Sequence, residues 1–142
     1  MRWFSFLAGA FVLLLALVVA PAVAQEGKGP VIEIFHESGC KACEAWEAQL
    51  RSAGFVVRRS EVLSVASTRR WLALPENFAS YVTARIGGYL IEGPVPPAQI
   101  KQLLKEQPTA LGLARPGVPT PADAQTLLMF WGGRSSPFPA VP

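Results

Sequence analysis

The chain has 142 residues, 51% of them hydrophobic, which is enough to bury one sizeable core. Its formal net charge is only +3, and no aromatic residues are interleaved with the two arginine doublets, Arg58-Arg59 and Arg69-Arg70. This pattern argues against nucleic-acid binding and favours solvated faces for these arginines. Two cysteines and one histidine are present in all, so thiol and imidazole chemistry is confined to three positions.

The first segment, residues 1–24, is predicted to be a secretory signal peptide. Arg2 gives a positive start, Trp3 to Ala20 is almost wholly apolar, and Ala22-Val23-Ala24 is a small-residue cleavage site before Gln25. The apolar run is also long enough to span a bilayer, so an uncleaved inner-membrane anchor is the alternative. We therefore expect a periplasmic protein without a membrane attachment after cleavage, in a compartment where disulfides persist.

The next part of the chain is predicted to form a strand, a helix and a second strand. After a polar lead-in over residues 25–30, Val31–Phe35 is β-branched and aromatic, as is typical of a buried strand. Between Ala42 and Ser52, apolar residues recur at steps of three and four, which predicts an amphipathic helix. A short strand over Phe55–Arg58 follows. Such short connections predict a right-handed crossover and a parallel strand pair.

A second helix and a hairpin are predicted further along. Residues 64–74 have serine caps available at their start and a proline soon after their end. Two β-rich runs, Val82–Ile86 and Tyr89–Ile91, are joined by Gly87-Gly88, which is a strong signal for a two-residue hairpin turn.

The last part is predicted to contain one helix and a small C-terminal extension. Pro96-Pro97 opens a third helix. Residues 107–126 are rich in proline and glycine and are expected to be irregular. Residues 127–138 are expected to form a terminal hairpin whose prolines confine it to a sheet edge.

The resulting order is β-α-β-α-β-β-α, with a Cys-x-x-Cys pair, Cys40 and Cys43, between the first strand and the first helix. A dithiol at this point of a β-α-β pattern is typical of a thioredoxin-like domain. The predicted fold class is therefore α/β (an α+β sandwich), thioredoxin-like, in a single domain over residues 31–142.

Two segments resemble the CopG-type periplasmic copper-homeostasis proteins, a metal-binding family formerly described as a domain of unknown function. They are GGYLIEGPVPPAQIKQLL over residues 87–104 and ALGLARPGVP over residues 110–119, within a similarity that runs from about Val31 to Val118. The resemblance implies a thioredoxin-like fold, Cu(I) as the bound metal, and either copper itself or a periplasmic copper or thiol protein as the partner.

Members of that family typically carry more copper donors than this chain does. They have a Cys-Gly-Cys-Cys run at the Cys40–Cys43 position, a Cys-His pair before the hairpin, a histidine after Glu-Gly, and a methionine in the Pro-Gly loop. The residues that stand at these places here are Ala42, Tyr81, Val82, Pro94 and Val118. Cys40 and Cys43 are the donors that remain.

Three interpretations of Cys40 and Cys43 stay open. Two thiols at the start of a helix bind soft Cu(I), or they exchange disulfides with partners, with Cys40 as the attacking thiol and Cys43 as the resolving one. Alternatively, they form a structural disulfide in a protein with a binding role only, although so short a loop stabilises little. Whether the protein is an enzyme is left open by these residues.

The single histidine, His36, lies four residues before Cys40. Its imidazole is a candidate third metal ligand beside Cys40 and Cys43, and an exposed polar residue at a strand end is the alternative. Glu44 and Glu47 lie off the apolar face of the first helix and are expected to be in solvent.

Overall fold

The computed structural model describes residues 28–142; the predicted signal peptide, residues 1–24, lies outside them. Three α-helices and seven strands make up the regular structure of this part of the chain, apart from two short 3-10 turns. They are β1 (Val31–His36), α1 (Lys41–Ser52), β2 (Val56–Glu61), α2 (Val65–Trp71), β3 (Thr83–Ile86), β4 (Tyr89–Glu92), α3 (Pro97–Glu106), β5 (Gly112–Ala114), β6 (Leu127–Met129) and β7 (Ser135–Pro137). Within residues 28–142, no helix is long and apolar enough to cross a membrane.

The seven strands form one sheet in the order β2-β1-β3-β4-β5-β6-β7. Strand β1 pairs in parallel with β2 and antiparallel with β3, and β3 and β4 form the antiparallel hairpin. The observed succession of β1 to α3 is the predicted β-α-β-α-β-β-α order. The predicted thioredoxin-like fold class is therefore confirmed.

The two faces of the sheet carry separate apolar clusters, because successive side chains of a strand point to opposite faces. On one face, α1 and α3 cover the sheet through Trp46, Leu50, Ile100 and Leu103, which are all buried. The other face carries a smaller cluster whose members are Leu74, Phe78, Ala114 and Met129.

Strand β5 lies inside residues 107–126, whose proline and glycine content predicted an irregular segment throughout. It pairs in parallel with β4 and antiparallel with β6, and so joins the terminal hairpin to the sheet. Gly112 allows this pairing because a Cβ at that position would clash with the carbonyl oxygen of Leu90. Glycine and proline have a low β propensity, so sequence patterns do not predict such a short strand in a segment rich in both.

Three charged or aromatic side chains differ from expectation in their exposure. Glu47 is buried rather than solvated, because Arg59 of β2 and Arg51 of α1 provide it with ion-pair partners. Arg69 is also buried, and Glu92 lies 3.5 Å from its guanidinium. Trp71 at the end of α2 is 75% exposed, although large aromatic side chains usually pack.

Candidate functional site

The two cysteines form a disulfide at the N-terminus of α1. Cys40 is the N-cap residue and Cys43 lies in the first turn, with 5.3 Å between their Cα atoms. Cys43 is fully buried among the apolar residues of α1 and the sheet, whereas Cys40 is partly exposed at the edge of that cluster. Cys40 is therefore the sulfur that an incoming thiol or metal ion reaches first.

The helix terminus provides favourable electrostatics for the sulfur of Cys40. The backbone N–H of Cys43 donates a hydrogen bond to Cys40 Sγ at 3.2 Å. A helix N-terminus stabilises negative charge through such N–H groups and its dipole, so it favours the thiolate of a reduced Cys40. Lys41 adds an exposed positive charge that Glu44, 3.6 Å away, partly neutralises.

His36 is buried at the end of β1 rather than exposed. Its Nδ1 lies 3.0 Å from the carbonyl oxygen of Glu37. A carbonyl only accepts hydrogen bonds, so Nδ1 carries the proton and Nε2 is the nitrogen left with a lone pair. Within residues 28–142, no three or more Cys, His, Asp or Glu side chains are arranged to hold a metal ion. His36 as a ligand stays a prediction.

The segment that precedes β3 lies at the same end of the sheet as the disulfide, because Thr83 pairs with Phe35 near the end of β1, from which the chain continues to Cys40. Val82 is fully buried in the same apolar cluster as Cys43, and Tyr81 packs against this cluster, as Cys40 does. Burial raises the pKa of Tyr81 above its usual value, an effect that the charge of Arg115 partly opposes. The phenol is consequently neutral at physiological pH, and it supplies no phenolate donor to replace a lost thiolate.

Two further replaced positions, Pro94 and Val118, lie on segments that meet this one through a hydrogen bond from the Gly93 N–H to the Val82 carbonyl oxygen and a β-bridge between Ser80 and Gly117. Pro94 precedes Val95, whose carbonyl oxygen accepts a hydrogen bond from Trp46 Nε1 at 2.8 Å. Val118 is exposed and follows Gly117, which forms a β-bridge with Ser80. Neither Pro94 nor Val118 carries a side chain that can ligate copper.

Sequence patterns do not predict the buried polar network that lies next to Tyr81. Glu92 is completely buried at the end of β4, and hydroxyl groups of Ser80 and Thr83 donate hydrogen bonds to it. Burial raises the pKa of Glu92 above its usual value, while these bonds and the charge of Arg69 oppose the rise. The available signal was a carboxylate directly after the apolar run of β4, but its partners are distant in sequence.

Fold and site together define the class: a thioredoxin-like domain with one Cys-x-x-Cys disulfide at the start of its first helix. Residues 78–123 match the family described as "Protein of unknown function, DUF411". No curated protein matches the chain.

Two solved structures named copper resistance protein CopG are similar to this chain. Form 1 has 27% sequence identity and a TM-score of 0.67, and covers 79% of this chain and 100% of its own. Form 2 has 26% identity and a TM-score of 0.70, with 81% and 100% covered. These matches support a CopG-type, copper-related family for the chain, in agreement with the resemblance found in its sequence.

Proposed function

We propose that the protein handles copper through Cys40 and Cys43, whose reduced thiols bind one Cu(I) ion. Its CopG-type family supports a role in copper handling. Binding of Cu(I) by the two thiols is supported by the position of the two sulfurs, one partly exposed and one buried, at the N-terminus of α1.

The donor set fits Cu(I) better than other metals. Cu(I) is soft and accepts two thiolates in a low-coordinate site. The Cα atoms of the two cysteines are 5.3 Å apart, so one ion can bridge the sulfurs after their bond is broken. A structural zinc site requires four ligands, and no group of three such donors exists among residues 28–142.

Copper loading and disulfide formation exclude each other in this proposal. The disulfide accepts two electrons and two protons to become two thiols, and a partner dithiol supplies both and leaves as its own disulfide. The two thiols then release two protons as they bind Cu(I), because thiolates are the ligands. Reduction thus controls whether the protein can hold copper.

A competition titration with a chromogenic Cu(I) chelator tests the proposal. Fully reduced protein is expected to bind one Cu(I), and the oxidised protein none. Cys40→Ser is expected to lower the affinity by about 10²- to 10⁴-fold, because the second thiolate of a pair binds at a high effective concentration. His36→Ala, measured in parallel, shows whether the imidazole adds to the two sulfurs.

Ser38→Ala is a matched control, since Ser38 is exposed in the turn before Cys40 and brings no soft donor. It should bind Cu(I) as the wild type does. Equal affinity in wild type and Cys40→Ser would refute binding through the cysteine pair.

Thiol–disulfide exchange without metal is the second candidate function. It is favoured by the same division between a partly exposed Cys40 at a helix N-cap and a buried Cys43. Here Cys40 attacks a partner disulfide, and Cys43 then resolves the mixed disulfide. Insulin reduction that is lost in Cys40→Ser would support this function. Absence of turnover, together with a low reduction potential, would reject it.

We also propose that the domain works in the periplasm after removal of residues 1–24. Support comes from the charged start, apolar run and small-residue site of that segment, and from the disulfide, which persists in oxidising compartments. Mass spectrometry of the protein from a periplasmic extract is expected to find Gln25 at the N-terminus. An intact N-terminus in the membrane fraction would indicate the anchor instead.

A further inference from the structure

The completely buried carboxylate of Glu92 receives hydrogen bonds from Ser80, in the segment before β3, and from Thr83, the first residue of β3. The backbone N–H and the hydroxyl of Ser80 donate to Oε1 at 2.8 and 2.9 Å, and the hydroxyl of Thr83 donates to Oε2 at 2.6 Å. The guanidinium of Arg69 lies 3.5 Å from Oε1 and also donates to the carbonyl oxygen of Ser80 at 3.0 Å. Ser80 is therefore held through its amide, its hydroxyl and its carbonyl.

This network lies on the opposite face of the sheet from the disulfide, and the segment from Ser80 to Thr83 connects the two. Val82 is buried in the cluster that contains Cys43, and Tyr81 and the partly exposed Cys40 both pack against that cluster. Thr83 pairs with Phe35 near the end of β1, so the segment lies at the end of the sheet from which the chain continues to Cys40. Displacement of Ser80 would therefore move the residues that pack with the disulfide. Glu92 itself points away from both sulfurs, since Ile91, its neighbour in β4, belongs to their cluster.

The choice of polar groups here is not explained by stability alone. Buried ion pairs are often no more stabilising than apolar residues of similar size, because both charges lose their hydration. Three hydrogen bonds and a charged partner do, however, fix one conformation of an irregular segment. A fixed segment beside a reactive disulfide has a chemical consequence, because it limits how often the sulfurs open to solvent.

We propose that Glu92, with Arg69, is a positioning residue that holds the Ser80–Val82 segment against the Cys40–Cys43 disulfide and thereby slows its reduction by external thiols. The inference rests on the proposed function only in that this disulfide is the working site. It is distinct from copper binding, because neither Glu92 nor Arg69 is a copper donor in it.

The tested reaction is reduction by dithiothreitol. One of its thiolates attacks Cys40 Sγ, a new S–S bond forms, and Cys43 leaves as a thiolate that takes up a proton. The second thiol of dithiothreitol, after losing its proton, displaces Cys40, which is protonated in turn, and the reagent departs as its cyclic disulfide. Alkylation of samples at timed intervals, followed by mass spectrometry, measures the rate.

Glu92→Gln is expected to accelerate this reduction by about tenfold under native conditions. In the glutamine, an NH2 group takes the place of one carboxylate oxygen, so a hydrogen-bond donor faces the donors of Ser80 or Thr83 and one of the bonds is lost. Thr83→Val, which removes the single bond to Oε2, is expected to give a smaller acceleration and decides the matter if Glu92→Gln does not fold. Glu33→Gln is the matched control. It removes a carboxylate that pairs with Arg85 elsewhere in the sheet, and it should leave the rate unchanged.

A second control separates positioning from general destabilisation. Met129→Ala removes a fully buried side chain of β6, two strands away from Glu92, in the cluster on the opposite face of the sheet from the disulfide. It should lower global stability and leave the rate of native-state reduction alone. Equal acceleration by Met129→Ala and Glu92→Gln, or an unchanged rate in both Glu92→Gln and Thr83→Val, would overturn the inference. Faster reduction in Glu92→Gln together with failed Cu(I) binding by wild type would refute the proposed function and leave this inference standing.

Discussion

Replacement of Arg59 by methionine is expected to destabilise the domain more than replacement of Glu47 by glutamine, although both changes remove the same ion pair. Arg59 Nε lies 3.0 Å from the Glu47 carboxylate and links β2 to α1, the helix that carries both cysteines. The side chain of Glu47 is 2% exposed and that of Arg59 is 42% exposed. The two partners therefore differ in whether water can replace the lost contact.

The magnitudes follow from this difference in exposure. Without Arg59, the buried carboxylate keeps only Arg51, 3.6 Å away and half exposed. Loss of one partner of a fully buried pair costs about 3–5 kcal/mol, and the remaining arginine reduces this to about 2 kcal/mol. Without the charge of Glu47, Arg59 turns to solvent and the glutamine oxygen still accepts a hydrogen bond, so the cost stays below about 1 kcal/mol.

Urea denaturation at neutral pH, followed by far-UV circular dichroism, measures both free energies of unfolding. The double variant should cost less than the sum of the single changes, because methionine then faces no buried charge. If Glu47→Gln costs as much as Arg59→Met, the exposure of the remaining partner does not determine the loss of stability.

Three further predictions concern the replaced donor, the buried carboxylate and the added strand. Tyr81→Cys should raise the Cu(I) affinity of the reduced protein by about tenfold or more, since it adds a third thiolate beside the pair; Tyr89→Cys at the hairpin turn is the control, and equal gains would contradict a site at Cys40. Burial raises the pKa of Glu92 in the folded protein. Its contribution to stability is therefore fully present below the pKa of the unfolded state and is lost as pH rises through the pKa of the folded state. Urea titrations should show the wild type losing stability relative to Glu92→Gln from about pH 4.5 upward; a gain in relative stability would show that the pKa is lowered instead. Gly112→Ala should cost about 3 kcal/mol or prevent folding, because its Cβ would meet the carbonyl of Leu90; Gly88→Ala, with open space around its Cβ, is strained by its positive φ alone and should cost less by the same denaturation assay.

The elements that local patterns specify were predictable from the sequence. The β-branched run of β1, the apolar spacing of α1, the Gly87-Gly88 turn and the paired prolines before α3 each have a local cause, and each precedes or forms the expected element. The spacing of Cys43, Trp46 and Leu50 along α1 is likewise a local pattern, and it accounts for the burial of Cys43.

What local patterns could not reveal depends on contacts distant in sequence. Glu47 lies off the apolar stripe of α1, yet it is buried because β2 brings Arg59 over it. Glu92 is buried because Ser80, from the loop before the hairpin, and Thr83, from β3, provide it with hydrogen bonds. Strand β5 forms because it pairs with both β4 and β6. The hydrophobic periodicity of the sequence does not reveal any of these distant partners.

The buried environment of Cys43 connects the proposed copper chemistry with the packing around it. A Cu(I) ion held by both sulfurs would be screened from water on the side of Val82 and Trp46, which belong to the same cluster as Cys43, and would remain accessible beside Cys40. Exchange with a partner thiol must then proceed through Cys40, whose thiolate the helix N-terminus stabilises. The resemblance places a cysteine and a histidine at positions 81 and 82, where this chain has a neutral tyrosine and an apolar valine. If the protein binds Cu(I) as proposed, these two residues add no thiolate or imidazole to the pair, and we therefore expect it to release copper more readily than a site with three or more donors.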